Sequence, residues 1–373
     1  TIRGNYYGVY LSYSYHSIIA NNTIQNNDYG IDLDSCANIT IVSNIIGNND
    51  YGVLLEYCNN LTISNNVLIK DGLIVLESYN NTIMNNTVNG KPLVYLENQS
   101  NLVINTNTGQ IILVGCKNIT IKGQNITETE VAIELLWTEK TRIMNSVIMS
   151  NKYGIYLQES SENVIINSTI INNEYGIFLK DSRKNVISYD MIRGNEYGIL
   201  SRHSMDNIIA NNTIDNNYYG IYLYSSANTI MINIIEKNDW GVYLEESYDN
   251  VYLNNFLNNI HQYHISENSN GQFYSNEPLK YEYLGRTYVD YLGNFWSDYK
   301  GIDSNEDGIG DTPYGLDTYP LMEFVHVIDG KIIIAWLLIE VTEPKNETII
   351  LSLIHISEPT RPLYISYAVF CLK

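Results

Sequence analysis

The sequence contains no apolar run of about 18 or more residues, so no membrane-spanning helix is expected. Basic residues are also scarce. The chain has 21 Lys and Arg but 41 Asp and Glu, which gives a net charge of −20. No basic stripe is present to neutralise phosphates, and nucleic acid is therefore excluded as the expected partner. Charged residues make up only 17% of the chain whereas Tyr numbers 33, so amides and phenols supply most of the polarity.

Helical periodicity is missing as well, and the glycines follow a different repeat. Tyr-Gly pairs recur in stretches such as 172–179 (NNEYGIFL) and 216–223 (NNYYGIYL). The glycines form two series with a spacing of 22 residues. The first series is Gly8, Gly30 and Gly52, and the second is Gly154, Gly176, Gly198 and Gly220, which Gly241 follows after 21 residues. A fixed period of this length indicates a stacked solenoid with one supersecondary unit per coil.

One repeat contains three short β-rich runs separated by Asn, Asp, Ser and Gly. After Gly176 the apolar residues Ile177 and Leu179 alternate with their neighbours, which is the period of a strand. Two further apolar pairs, at 186–187 and 191–192, complete the repeat and leave no room for a helix. We therefore predict an all-β fold, a parallel β-helix (β-solenoid) of roughly a dozen coils over residues 1–260, with strands about 4.8 Å apart.

Two polar columns support this stacking. Asn recurs nine residues after the glycine at Asn163, Asn185, Asn207 and Asn250, and eight after it at Asn38, Asn60 and Asn228. Stacked amides can hydrogen-bond to one another and to the turn backbone. Six residues after the glycine, small side chains predicted to point inward form a second column, Ser14, Cys36, Cys58, Ser160, Ser182, Ser204, Ser226 and Ser247. Both columns are interpreted as scaffold.

The chain has four cysteines. Cys36 and Cys58 fall one coil apart in the same column, so their Cα atoms are expected about 5 Å apart, which a disulfide permits. Unbonded core thiols are the favoured interpretation, and a bridge is the alternative. Cys116 is expected to be a lone core residue.

The remaining segments are assigned from their composition. Between Gly72 and Lys152 the glycine lapses, and shorter turns within one continuous stack are the expected explanation. Residues 261–325, rich in Tyr, Asp and Gly, are expected to cap the last coil. Residues 326–350 are interpreted as the start of a truncated β module. Residues 351–373 are interpreted as a foreign tail, since 351–361 (LSLIHISEPTR) matches the translation of a transposase adapter used in sequencing libraries, and the chain is expected to be a fragment.

The cap segment contains a motif similar to a calcium loop at 303–311 (DSNEDGIGD). Oxygen ligands at its positions 1, 3, 5 and 9, a Gly at 6 and a backbone carbonyl at 7 follow the EF-hand rule. The candidate ligands are Asp303, Asn305, Asp307, Ile309 and Asp311. Position 12, where a bidentate Glu belongs, is Tyr314, so the cage is incomplete unless Asp317 or Asp298 folds in. Ca²⁺ is the expected cofactor, and an acidic turn without metal is the alternative.

The repeats, followed by 293–299 (GNFWSDY) and 307–321 (DGIGDTPYGLDTYPL), resemble the right-handed β-helix family named after the periplasmic nitrous-oxide-reductase maturation protein (NosD-like). This family overlaps the carbohydrate-binding and sugar-hydrolase β-helix repeats, and many members resemble archaeal surface proteins. The resemblance covers residues 1–323 and implies a right-handed helix. Its name implies copper handling, but the sequence departs from copper chemistry, because among six His only His261 and His264 are close together and no Met-His cluster occurs.

The face expected to bind a ligand is the outward side of the strand after each glycine. Two residues after the glycine an aromatic ring often recurs, and rings beside hydrogen-bonding groups suit a sugar, which is apolar on one face and hydroxylated at its edge. The candidate glycan-binding residues are Tyr156, Phe178, Tyr222 and Tyr243. Aromatic stacking that only stabilises the sheet is the alternative.

Two charged pairs on the same face offer catalytic chemistry. Asp34 and Glu56, with Asp32 beside them, are expected to stack about 5 Å apart, as a retaining glycosidase requires. Lys180 and Arg202 could serve as the base of a uronate lyase. In one continuous stack the two pairs lie at least about 25 Å apart and form no single site, so no catalytic residue is assigned.

The sequence therefore predicts an extracellular, cell-surface or periplasmic protein that binds glycans or serves a structural role, with a polysaccharide as its partner. One alternative is a polysaccharide-degrading hydrolase or lyase. The other is a periplasmic factor for copper or nitrous-oxide-reductase maturation.

Overall fold

A computed structural model of the chain describes residues 1–335, and within that range it contains β-strands and no helix. The strands stack as a parallel β-solenoid, which confirms the predicted fold class and the number of coils, about a dozen. Among the described residues no segment forms an apolar helix of membrane-spanning length. The predicted foreign tail, 351–373, lies outside the described residues.

The strands fall into two solenoid segments and a cap. The N-terminal solenoid consists of β1 (Ile2–Arg3), β2 (Tyr7–Ser12), β3 (Ile18–Ala20), β4 (Thr23–Gln25), β5 (Tyr29–Asp34), β6 (Thr40–Val42), β7 (Ile45–Gly47), β8 (Tyr51–Glu56), β9 (Thr62–Ser64), β10 (Val67–Ile69), β11 (Leu73–Leu76), β12 (Thr82–Met84) and β13 (Thr87–Val88). The first half of the C-terminal solenoid consists of β14 (Lys91–Glu97), β15 (Val103–Ile104), β16 (Gln110–Val114), β17 (Thr120–Lys122), β18 (Asn125–Thr127), β19 (Val131–Leu136), β20 (Arg142–Met144), β21 (Val147–Met149), β22 (Tyr153–Gln158), β23 (Val164–Ile166) and β24 (Thr169–Ile171). Its second half consists of β25 (Tyr175–Lys180), β26 (Val186–Ser188), β27 (Met191–Arg193), β28 (Tyr197–Arg202), β29 (Met205–Ala210), β30 (Thr213–Asp215), β31 (Tyr219–Tyr224), β32 (Ala227–Met231), β33 (Ile234–Glu236), β34 (Trp240–Glu245), β35 (Asn250–Tyr252), β36 (Asn255–Leu257) and β37 (His261–Ile265). The strands of the cap are β38 (Leu279–Tyr283), β39 (Arg286–Asp290), β40 (Phe295–Trp296), β41 (Val325–Ile328) and β42 (Lys331–Ile334).

Each coil contributes one strand to each of three faces. The first face, which carries the Tyr-Gly pairs, consists of β2, β5, β8 and β11 in the N-terminal solenoid and of β14, β16, β19, β22, β25, β28, β31, β34 and β37 in the C-terminal one. The second faces are β3, β6, β9 and β12, and β15, β17, β20, β23, β26, β29, β32 and β35. The third faces are β1, β4, β7, β10 and β13, and β18, β21, β24, β27, β30, β33, β36 and β40. Strands of a face pair in parallel one coil apart, as in the register Ile177↔Ile199.

The repeated glycine is required by the close approach of stacked backbones. A Cβ atom built on Gly176 would lie 2.5 Å from the carbonyl oxygen of Gly198 in the next coil. Real side chains do not tolerate such a contact, so the column remains glycine wherever coils stack this closely.

The stack is interrupted where the glycine spacing lapses. At Asn89 and Gly90, with φ of 50° and 76°, the chain turns back, and β14 pairs antiparallel with β13. The third face of the N-terminal solenoid thereby continues into the first face of the C-terminal solenoid as one 14-stranded sheet. Shorter turns alone, as inferred from the sequence, do not explain the lapse. The missed signal was the Asn-Gly dipeptide, which is preferred in two-residue hairpin turns.

The C-terminal solenoid closes the open end of the N-terminal one. Ile112, Val114 and Leu136 belong to its first face but are buried in the core of the N-terminal solenoid. Ile111 and Leu113, which alternate with them, lie in the core of the C-terminal solenoid. Because β16 is covered on both sides, its sequence is continuously apolar over 111–114.

Polar side chains satisfy the free edge of β11 at this junction. Gln110 accepts a hydrogen bond from the Leu73 amide at 2.9 Å and donates one to the Leu73 carbonyl oxygen at 2.6 Å. The carboxyl group of Glu134 accepts from the Val75 amide at 3.2 Å, and burial raises the pKa of Glu134. The edge of one solenoid is thus paired by side chains of the other.

Amide ladders run along the inside of the corners. The main-chain N–H of Asn173 and its Nδ2 both donate to Oδ1 of Asn195, at 2.9 and 3.1 Å, and Nδ2 also donates to the Ile148 carbonyl oxygen at 3.3 Å. The preceding residue, Asn172, is exposed and has a φ of 54°. In this Asn-Asn pair, as in 216–217, the first residue makes the turn and the second joins the ladder.

The predicted amide column is present but continues differently from the prediction. Its buried members are Asn163, Asn185, Asn207 and Asn228, each bonded to the next. The following member is Asp249, which accepts from the Asn228 amide at 2.6 Å, and not Asn250. Asn38 and Asn60 lie outside the ladder, since both are exposed and have φ of 57° and 54°.

The column of small residues points inward, as the strand parity predicts. Cys36 and Cys58 are unbonded and buried, and the Cys36 amide donates to Sγ of Cys58 at 3.4 Å. Cys116 is likewise a buried free thiol. The favoured interpretation of core thiols agrees with this arrangement, which contains no bridge between Cys36 and Cys58.

The segment after the last regular coil remains attached to the solenoid through paired strands. β37, the last strand of the first face, pairs with β34, and β40 of the cap pairs with β36 and so extends the third face. Trp296 stacks on Phe256 with ring centroids 4.3 Å apart and covers the core. β41 and β42 join β38 and β39 in a four-stranded sheet, so residues 326–334 belong to the sheet of the cap. Residues 336–350 of the expected β module lie outside the described residues.

Several ladders end on a buried carboxylate, and Asp190 is a carboxylate inside a ladder. The Ser168 amide donates to Oδ1 of Asp190 at 2.7 Å, whereas Oδ2 of Asp190 has no partner. At the next position Asn212 donates from Nδ2 to the Ile187 carbonyl oxygen at 2.9 Å. Burial raises the pKa of Asp190 to about 7. An Asn at position 190 would supply the donor that the ladder lacks.

We therefore expect Asp190→Asn to raise the melting temperature by a few degrees at pH 8, because an unpaired buried polar group costs about 1–3 kcal/mol. The folded protein holds the Asp190 proton more tightly than the unfolded chain does. The contribution of protonated Asp190 to the free energy of unfolding is thus complete near pH 4 and is lost as the pH rises towards 7. The gain from Asp190→Asn should accordingly be smaller at pH 5 than at pH 8 in calorimetric melts.

The matched control is Asp28→Asn, because Asp28 is exposed and outside the ladder. It should change the melting temperature at neither pH. A melting temperature that falls in Asp190→Asn at pH 8 would contradict the role given to the missing donor.

Candidate functional site

The first faces of both solenoids carry rows of aromatic rings on their outer side. The Tyr of each Tyr-Gly pair forms one row, in which ring centroids are 4.9 Å apart for Tyr153 and Tyr175 and 5.0 Å apart for Tyr175 and Tyr197. In the N-terminal solenoid Tyr29 and Tyr51 stack at 4.7 Å. We call these rings the tyrosine row. Sequence reasoning missed these tyrosines as site residues, although their recurrence beside the glycines of the regular coils was the available signal.

The four predicted glycan-binding residues form two separate pairs. Tyr156 and Phe178 stack with centroids 5.1 Å apart, and Tyr222 and Tyr243 stack at 4.9 Å. Tyr156 is only 6% exposed, because it packs against Ile74 of the N-terminal solenoid. The other three rings are half-buried. Tyr156 is therefore not accessible to a ligand on the exposed part of the face. The sequence could not predict this burial, because it depends on contacts with the other solenoid.

A cleft of about 160 Å³ lies where the two first faces meet. The rings in its walls come from both solenoids, namely Tyr29, Tyr51, Tyr153, Tyr156 and Phe178. Leu54, Ile74 and Leu76 also line it. We call this space the junction cleft. It exists because the chain reverses after β13, since a single stack would not bring these two groups of residues together.

Charged groups of both signs surround the junction cleft. Nζ of Lys152 lies 3.7 Å from the ring centroid of Tyr51, within the range of a cation–π interaction. Across the junction, Nε2 of Gln158 donates a hydrogen bond to Oε1 of Glu77. Burial, followed by a hydrogen bond and repulsion from Glu159, raises the pKa of Glu77. The two solenoids therefore share a polar network at the edge of the cleft.

The carboxylates considered for catalysis lie together on the N-terminal first face. Asp34 and Glu56 are direct partners in the register of β5 and β8, as predicted. Asp32 is 8% exposed, and burial, with repulsion from Glu56 and Asp34, raises its pKa to about 6. A carboxyl group with such a pKa exchanges its proton near neutral pH and can act as an acid or a base.

The predicted cation pair lies on the C-terminal first face. Lys180 and Arg202 are register partners in β25 and β28. Lys180 also lies near Glu77 of the N-terminal solenoid. Burial raises the pKa of Glu77, and the positive charge of Lys180 partly offsets that increase. The distance of at least about 25 Å inferred from the sequence assumed one continuous stack, and the junction removes that assumption.

The predicted calcium loop is a tight turn held by its own backbone. Asp303 accepts from the amides of Asp307 and Gly308 at 3.1 and 2.8 Å, and Asp311 accepts from the Ser304 amide at 2.9 Å. Gly308 has a φ of 89°, as the sharp turn requires. Within residues 1–335 no three acidic, His or Cys side chains are grouped closely enough to hold a metal ion. Calcium binding would require Asp303, Asp307 and Asp311 to move closer together, and the site remains a prediction.

The two carboxylates considered as additional calcium ligands are engaged elsewhere. Asp317 is buried and accepts from the Asn294 amide at 2.7 Å and from Nε1 of Trp296 at 2.8 Å. Asp298 accepts from the Tyr314 hydroxyl at 2.9 Å. Neither completes the cage in this structure.

The described residues do not fit a copper centre. His261 and His264 lie on β37, where His261 stacks on Trp240 at 4.0 Å and His264 on Tyr243 at 4.4 Å. The three described cysteines are buried in the core of the solenoids. In the described part of the chain these histidines and cysteines belong to no group of three His, Cys, Asp or Glu side chains that could hold a metal ion.

Comparison with known protein families identifies a match that covers most of the chain. The family model described as "Periplasmic copper-binding protein (NosD)" matches residues 1–95 and 94–301. No curated protein matches the chain.

Solved structures with a similar fold include the periplasmic alginate epimerase AlgG, at 14% identity and a TM-score of 0.43 over 68% of this chain and 74% of that one. An alginate lyase from Paenibacillus sp. has 14% identity and a TM-score of 0.34 over 68% and 97%. An endo-xylogalacturonan hydrolase from Aspergillus tubingensis has 10% identity and a TM-score of 0.35 over 68% and 83%. Likeness at this level says nothing about what this chain binds.

The family match covers both solenoids and the first half of the cap. With the repeats and the parallel solenoid described above, it shows that the chain belongs to the NosD family.

Proposed function

We propose that this protein acts in the periplasm or at the cell surface as a β-solenoid that binds polysaccharide without cleaving it. The location is supported by the family match, whose description names a periplasmic protein. The copper role in that description is not carried over, because His261 and His264 are stacked on aromatic rings and the three described cysteines are buried in the core.

The observation that carries the proposal is the pair of half-exposed aromatic rows on the C-terminal first face. Tyr222 and Tyr243 stack at 4.9 Å, and the tyrosine row runs beside them with Tyr197 and Tyr219 at 5.0 Å. The Tyr222 hydroxyl donates to the carboxylate of Glu245, so a polar group adjoins the ring edge. A sugar ring needs this combination of a flat apolar surface and hydrogen-bonding groups beside it. A polysaccharide along the solenoid axis would meet one ring per coil.

Cleavage is a second candidate, and Asp32 is the residue that favours it. Its raised pKa, about 6, and the neighbouring Asp34 and Glu56 supply the carboxyl chemistry of a glycosidase. We rank binding first because the aromatic pair and the carboxylates lie apart. Tyr222 and Tyr243 are on β31 and β34, several coils away from the junction, whereas Asp32, Asp34 and Glu56 are on β5 and β8 of the other solenoid.

Tyr243→Ala is expected to weaken polysaccharide binding by about two- to tenfold, since an aromatic stacking contact contributes about 0.5–1.5 kcal/mol. A glycan array with the full chain would identify the polysaccharide, and isothermal titration would compare the variants. Tyr222→Ala should have a similar effect. Tyr248→Ala is the control, because Tyr248 is 62% exposed and lies outside the first face.

Two results would overturn the proposal. Absence of binding to any glycan, with Tyr222→Ala and Tyr243→Ala only lowering the melting temperature, would leave the rows with a structural role. Release of reducing ends or unsaturated uronates, abolished in Asp34→Asn or Glu56→Gln, would establish cleavage in place of binding alone.

We also propose that the loop 303–311 binds Ca²⁺ and orders the cap. The support is its sequence pattern and the anchoring of its backbone, since the Tyr281 hydroxyl donates to the Asp307 carbonyl oxygen at 2.8 Å. Millimolar calcium should raise the melting temperature of the full chain by mass action, and Asp307→Ala should abolish the shift. Asp50→Ala, at an exposed position in the N-terminal solenoid, should retain it. An unchanged melting temperature with calcium would show that the loop is only a turn.

A further inference from the structure

We infer that the junction cleft is a binding subsite for a single neutral pyranose ring. The inference rests on the proposed polysaccharide binding and names a place and a sugar class for it. The open rows on β31 and β34 would hold other parts of the chain.

The size of the cleft corresponds to one six-membered ring. Its volume is about 160 Å³, and an engineered cavity of about 150 Å³ is large enough for benzene. The surrounding junction is closely packed, since Val131 is fully buried and Ile74 is 5% exposed. Protein interiors are normally filled to crystal density, so an open space of this size between packed elements is an exception.

The walls provide the surface that a pyranose requires. Tyr51 comes from the N-terminal solenoid, whereas Tyr153 and Phe178 come from the C-terminal one, where their rings are inclined by only 18° with centroids 6.2 Å apart. Tyr153 and Phe178 can contact the apolar C–H face of a sugar, whereas Tyr51, which is covered by Tyr29 and Lys152, contributes its edge to the wall. Burial raises the pKa of Tyr153, so its hydroxyl remains a neutral donor for the hydroxyls at the sugar edge.

The charges favour a neutral sugar over an acidic one. Glu77 follows the lining residue Leu76 in the chain and interacts with both Glu159 and Lys180, so the charge of Lys180 is already matched by carboxylates, whose oxygens can accept from sugar hydroxyls. Lys152 is nearby, but its ammonium group lies over the Tyr51 ring. The net charge of the whole chain is −20, which would repel a uronate or a sulfated sugar at long range.

The cleft is held in shape by the junction. Gln110 and Glu134 fix the edge of β11, which carries one wall, against the C-terminal first face. Because the walls are positioned before a ligand arrives, little conformational freedom would be lost on binding. This distinguishes the cleft from the open rows, where a sugar is contacted on one side.

Methyl glycosides are the direct probe, because a single sugar ring can fill the cleft but cannot span several rings of the aromatic rows. The full chain would be titrated with methyl glucoside, galactoside and mannoside, and with methyl glucuronide and galacturonide, by saturation-transfer NMR and calorimetry. We expect at least one neutral glycoside to bind more tightly than either uronide.

Leu54→Trp fills the cleft and should reduce glycoside affinity at least tenfold. Ile18→Trp is the control, because Ile18 is 71% exposed on β3, in the second face of the N-terminal solenoid and outside the lining of the cleft, and should leave the affinity unchanged. If Leu54→Trp does not melt cooperatively, Tyr51→Leu removes one wall and should give the same loss.

Each result distinguishes the subsite from the general function. Glycoside binding that persists in Leu54→Trp, or is lost in Tyr243→Ala instead, would overturn the subsite and leave polysaccharide binding intact. Tighter binding of a uronide would overturn the choice of a neutral sugar. A polysaccharide bound without any methyl glycoside would also refute the subsite alone, whereas absence of all binding would refute both.

Discussion

The amide ladder is the interaction on which this solenoid depends. Each coil turns three corners, and every corner leaves main-chain N–H groups inside the molecule, where water does not reach them. The side chain of the next coil accepts those hydrogens, as Asn195 does for Asn173. Since one amide oxygen serves both the backbone and the side chain of the preceding coil, each coil must place an acceptor at the same corner, whether 22 residues separate the partners, as for Asn173 and Asn195, or 20, as for Asn66 and Asn86. The regular recurrence and the abundance of Asn have this common origin.

A ladder of donors needs a last acceptor, and carboxylates fill that place. Asp71 receives the Asn49 amide at 2.9 Å, and Asp249 receives Asn228 in the same way. A carboxylate brings no N–H groups of its own, so nothing is left unpaired beyond it. The same chemistry closes the junction, where Glu134 accepts from the edge of β11. Much of the buried acidity therefore belongs to the scaffold, and only the carboxylates on the outer face are available for a ligand.

The local part of the fold was accessible from sequence, and the relation between the two solenoids was not. Glycine spacing and strand parity describe contacts between one coil and the next, so they predicted the strands and the inward column around Cys36 and Cys58. The turn at Asn89 and Gly90 was visible as a dipeptide, but its consequence depends on contacts between residues far apart in the chain. Burial of Tyr156 follows from those contacts. Its position in the repeat equals that of Tyr222, which stays half-exposed.

The reversal after β13 gives the two ends of the outer aromatic surface different properties. One end is fixed, because the N-terminal solenoid terminates against β16 and β19. The other end has no such constraint, since inserting one more coil between β28 and β31 would extend the surface by about 4.8 Å and leave the corner unchanged. Gain or loss of whole repeats would then change the length of the aromatic surface while preserving the corner at its fixed end.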